Sequence, residues 1–182
     1  MEIVLQGDDY MGYEDLLKEA EHLNIIIKEK KLRLRDGLCC GNRIAINKDL
    51  ETLKQKNCTL AEEIGHFETS SGYILNQSRL DSRKQEKLAR NWAYEKLANI
   101  DFIIDAYEKG IRNEYELAEH LNVTVEFLEK AVEHYREKYG LYYKSNKYII
   151  YFEPAFTIKE IIKGGGIYVK PYIFNFTPNI SL

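Results

Sequence analysis

The apolar residues of this chain change period several times, and the changes mark its elements. Over 13–23, Leu16, Leu17, Ala20 and Leu23 recur at helical spacing, and Asn24 closes the segment. Ile25-Ile26-Ile27 opens a short strand rich in β-branched residues. Leu32, Leu34 and Leu38 alternate with Arg33 and Arg35, which predicts a half-buried strand, with Asp36-Gly37 as a turn signal. A third strand over 43–47 places Ile44 and Ile46 on one face, and the three segments predict a small, mostly antiparallel sheet. A longer helix over 50–67 follows, with Leu53, Leu60, Ile64 and Phe67 as its apolar stripe.

After a loop over 72–80, helices are predicted over 82–100 and 102–109, the second ended by Gly110. Residues 113–139 read as a helix pair resembling a helix-turn-helix, with Asn113 and Thr124 as N-caps. Leu117, Ala118 and Leu121 face inward from the first helix, and Val125, Leu128, Ala131, Val132 and Tyr135 from the second. A hairpin joins 141–143 to 148–152. Gly164-Gly165-Gly166 reads as a linker, and the aromatic tail beyond it has strand propensity but no evident partner. That leaves the tail's apolar strand open to self-association. The expected class is α+β: a compact domain over 11–100, a helical extension with a terminal hairpin over 101–155, and a tail over 156–182. Residues 1–10 read as an upstream extension.

Composition narrows the function classes. A net charge of -3 gives no general electrostatic case for nucleic-acid binding. The second helix of the 113–139 pair, with Glu126, Glu129, Glu133 and Glu137, is acidic on balance and would repel phosphate. No apolar stretch approaches the roughly 20 residues that span a bilayer, and the first residues lack a basic and an apolar region, so a cytoplasmic location is expected. Three cysteines, Cys39, Cys40 and Cys58, with no C-x-x-C spacing, argue against a disulfide framework or a cysteine-built zinc site.

The chemistry concentrates in Ala61-Glu62-Glu63-Ile64-Gly65-His66, one residue removed from H-E-x-x-H. Residues four apart on a helix project from one face, so Glu62 and His66 could grip one ion, with Glu63 beside its bound water. Gly65 would let another element approach closely. A third ligand must come from elsewhere. Glu86 is favoured because it shares a helical stripe with Ala89, Ala93 and Leu97, where a buried carboxylate would need a partner. Asp81 and Glu68 are weaker choices. Two plainer readings compete. Thr59 and Glu62 fit a capping box, and Glu62 and His66 point nearly opposite Leu60 and Ile64, where solvent-facing residues would sit. His22, His120 and His134 read as surface residues, Trp92 as a core anchor and Cys58 as a small packing residue.

The run CTLAEEIGHFETSSG followed by RKQEKLARNWAYEKL resembles the ImmA/IrrE metallopeptidases, particularly their phage and prophage types. There an L-A-x-E-L-G-H core is followed by a helix patterned E-x-x-A-x-x-F-A-x-x-L. Here Glu86, Ala89, Trp92, Ala93 and Leu97 fill that pattern. The segment GLCCGNRIAIN looks like the family's strand pair, and RNEYELAEHLNVTVEFLEKAVEHYREKYGLY and YIIYFEP look like the helical and C-terminal parts of phage-type members, so the resemblance extends over about residues 11–155. The resemblance implies a zincin-like domain, a zinc cofactor, Glu63 as general base, and His66 and Glu86 as ligands with Glu62 in the first ligand position. It also implies a helix-turn-helix repressor of a mobile element as substrate. Glu62 in place of histidine changes the charge balance. Two imidazoles and one carboxylate leave a divalent site at +1, whereas Glu62, His66 and Glu86 leave it at zero. A less positive site is a weaker Lewis acid and favours zinc less strongly over manganese or iron. Weak or conditional peptidase activity is therefore expected. The competing reading is an inert relative that binds a repressor without cleaving it.

Overall fold

The computed structural model describes residues 10–70, 79–161 and 167–174, with the backbone alone for 79–81 and 167–174. The chain divides into two compact units, 1–97 and 98–182. The architecture is α+β, as the pattern predicts.

In the first unit, α1 (Tyr13–His22) leads through the left-handed Asn24, φ 56, into β1 (Ile26–Lys30). Strands β2 (Gly37–Cys40) and β3 (Arg43–Asn47) follow, then α2 (Leu53–Ser70) and α3 (Arg79–Leu97). The sheet order is β1-β3-β2. It is mixed: β2 and β3 form an antiparallel hairpin, but β1 runs parallel to β3. The expected strand over 32–38 does not form. Leu34 is 96% exposed, and Gly37, expected in a turn, is the first residue of β2. The alternation of leucine and arginine there belongs to an irregular connection that crosses to the far edge of the sheet.

Helix α2 is the centre of this unit. Its N-terminus carries a capping box about two turns upstream of the anticipated one. Thr52 Oγ1 accepts the Gln55 N–H at 3.2 Å, and Gln55 Oε1 accepts the Thr52 N–H at 3.0 Å. Thr59 is thus interior to the helix, and a cap is not what Glu62 does there. Asn57, Cys58, Leu60, Ala61, Ile64 and Gly65 are all buried, because α2 packs on α1, on the sheet and on α3. Leu53, placed in the apolar stripe by periodicity, is instead 57% exposed. Ile44 and Ile46 of β3, Leu16 and Ala20 of α1, and Ala89, Ala93 and Leu97 of α3 complete the core. Gly65 is what permits the closest approach: a Cβ there would lie 2.4 Å from the Ala89 carbonyl oxygen. Trp92, expected as a core anchor, is only half-buried and has the Lys96 ammonium 5.5 Å from its ring centre.

The second unit holds α4 (Ile100–Glu108), α5 (Glu114–His120) and α6 (Val125–Tyr139). Asn113 and Thr124 cap α5 and α6 with their side chains, as expected. An antiparallel sheet follows in the order β4-β5-β6-β7, formed by Tyr142–Lys144, Tyr148–Tyr151, Phe156–Ile161 and Ile167–Phe174. The aromatic tail therefore has a partner: β7 pairs with β6 from Ile161↔Ile167 to Phe156↔Phe174. The motive for self-association through an unpartnered strand falls away. His134, read as a surface residue, is buried beside Tyr135. The linker glycines 164–166 and most of the anticipated loop over 72–80 lie outside the described residues.

Candidate active site

Glu62, Glu63 and His66 all lie on α2, half-buried, and Glu86 lies on α3 with half its side chain exposed. The close packing at Gly65 sets the distance between the two helices. His66 Nε2 comes to 3.7 Å from Glu86 Oε1. That is beyond hydrogen-bond range. It is an ion-pair distance, and it is close to the roughly 3.4 Å that separates two ligands about 2.1 Å from one tetrahedral ion. The exposure of Glu86 overturns the argument that picked it from a buried stripe. Ala89, Ala93 and Leu97 are buried, and Glu86 stands beyond them in reach of solvent and of His66.

The imidazole is in the right state for ligation. Burial, followed by the Arg90 and Arg35 charges, lowers the His66 pKa against the opposing pull of Glu86. A metal ligand must be neutral imidazole, so no proton has to be displaced near pH 7. Glu63 is shifted the other way. Burial first, then the charges of Glu62 and Glu86, push its carboxyl up to about 7, against the Cys39 backbone N–H and the Arg35 charge. A carboxylate with that value is well matched to general-base work at neutral pH.

Strand β2 forms the roof over Glu63. A Cβ on Gly37 would fall 2.5 Å from Glu63 Oε1 and 2.7 Å from the Thr59 methyl. Cys39, two residues on and on the same face, donates its backbone N–H to the Glu63 carboxylate. Its thiol is pushed up to about 11, by burial first and then by Glu63 and Cys40, so it is protonated and a poor nucleophile. β2 is also the edge of its sheet, with its outer side unpaired by β3.

The structure thus brings Glu63, His66 and Glu86 into one electrostatic neighbourhood, with Glu62 bearing on Glu63 through charge. Among the described residues no group of three or more His, Cys, Asp and Glu side chains forms a ready metal cage. Of the lesser ligand choices, Glu68 is exposed, and the side chain of Asp81 lies outside the described residues. Gly37, Cys39 and Arg35 are site residues that the sequence reading missed. The Gly-x-Cys spacing on one strand face was the only local signal for the first two. His66 and Glu86 are donors of the kind a divalent ion takes and stand close together, and Glu62 lies one helical turn before His66 without forming a group of three with them.

Among the described residues no helix is long and apolar enough to cross a membrane. No curated protein matches the chain. A family model does match: Peptidase_M78, the IrrE N-terminal-like domain, over residues 13–133.

Proposed function

The chain belongs to the IrrE N-terminal-like family of metallopeptidases, and on that premise we propose that it is a metal-dependent endopeptidase acting on a helix-turn-helix repressor of a mobile element. The observation that supports this best is the placing of the Glu63 carboxyl, seated against β2, beside the His66–Glu86 pair. His66 and Glu86 would hold the metal, with Glu62 as the further donor. Bound there, the ion supplies Lewis acidity toward a peptide carbonyl and toward water. Zinc is the metal that the resemblance implies, and oxygen-rich donors also admit manganese or iron.

Glu63 takes a proton from the attacking water and passes it to the leaving amine. The Cys39 N–H and the Gly37 contact keep its carboxylate on the α2 side of β2. Burial excludes water from around it, which raises its basicity toward neutral pH. Among the described residues β2 is an edge strand of its sheet, and in this reading an extended peptide lies along it beside Glu63. The site acts inside the cell in this reading, where the repressor is found.

One observation favours a second reading. Glu62 stands where the motif has histidine, which removes a neutral ligand and weakens the site's positive charge. A protein with this site could antagonise a repressor by binding alone. Incubating the chain with a candidate repressor separates the two. Proteolytic fragments that vanish with Glu63→Gln support the enzyme. Loss of repressor function without fragments, unchanged by Glu63→Gln, supports the binder.

A further inference from the structure

We infer that Arg90 is a positioning residue that orients Glu86 for the metal, an inference that rests on the reading of His66 and Glu86 as ligands. Glu86 and Arg90 are one turn apart on α3, and the guanidinium Nη2 lies 3.3 Å from Glu86 Oε2. The other oxygen of the same carboxylate, Oε1, is the one 3.7 Å from His66 Nε2. The carboxylate is divided between two partners, one oxygen to each. Half of the Glu86 side chain is exposed, so core packing does not fix its rotamer. Arg90 supplies the missing restraint from its own helix, at the i,i+4 spacing where such pairs meet.

The Arg90 charge itself disfavours a cation at the site, so the pair raises affinity only through the rotamer of Glu86. Removing a hydrogen-bond partner that orients a metal ligand typically changes metal affinity by about ten- to a hundredfold.

The test is the dissociation constant for zinc and for manganese, by competition with a chelating dye, in wild type, Arg90→Ala and Arg90→Gln. Arg90→Ala is expected to bind about tenfold more weakly, and Arg90→Gln, which keeps an N–H donor, to fall between. Melting curves in chelator should overlay, because the pair is surface-exposed and contributes little to the metal-free fold. Equal or tighter binding by Arg90→Ala overturns the positioning role and leaves the metal site standing. Failure of the wild type to bind either metal removes the site itself, and the inference with it.

Discussion

Burial of Glu63 couples the stability of the metal-free protein to pH in a way that one substitution exposes. Its carboxyl titrates near 7 in the folded chain, against 4.5 as the ordinary value. The folded state therefore holds a proton that the unfolded state releases between those values. Stability from this group is fully present below pH 4.5 and is lost as pH rises through 7. Integrated from pH 5 to pH 8, the loss is about 2.5 kcal/mol, an upper figure because the side chain keeps some contact with solvent. Glu63→Gln removes the titration and keeps a carbonyl to accept the Cys39 N–H. Urea unfolding of both proteins in chelator at pH 5 and pH 8 measures the difference. The variant should gain about 1–2.5 kcal/mol on the wild type between the two values. Parallel stabilities would show that Glu63 ionises as an ordinary exposed carboxylate, and the argument for a tuned base would fall.

Two further substitutions probe the scaffold and the donor set. Gly65→Ala drives a methyl into the Ala89 carbonyl. It should cost about 1–3 kcal/mol, read by chemical denaturation, and reduce metal binding as α2 and α3 separate. Glu62→His restores H-E-x-x-H and one positive charge to the site. It should shift metal preference toward zinc by about tenfold, read by competition titration, and raise any repressor cleavage.

What could be read from the sequence was local. Helices α1, α5 and α6, and the caps Asn113 and Thr124, follow from side chains within a few residues of the backbone groups they satisfy. Periodicity set the second strand too early, because Leu32, Leu34 and Leu38 mimic a strand period, whereas the strand pair expected from the resemblance over GLCCGNRIAIN is the β2–β3 hairpin, held by its own pairing and by Gly37 seating against α2. Leu53 misled for the same reason, since periodicity does not say which turn of a helix reaches the core. The partner of β7 is set by the sheet rather than by the tail's own composition. In the site, the spacing of Glu62, Glu63 and His66 was visible on one helix. The nearness of Glu86 came from the resemblance to a family, and burial, the physical reason offered for it, is contradicted by its exposure. Arg35, Gly37 and Cys39 lie far along the chain from α2, and only the fold brings them to Glu63.

The central claim is that His66 and Glu86 hold a divalent ion beside Glu63. The most direct measurement is metal content by elemental mass spectrometry after equilibration with zinc or manganese, for wild type, His66→Ala and Glu86→Gln. The account predicts about one ion per wild-type chain, with loss in both variants. A wild type that stays metal-free, or variants that retain the ion, would contradict it.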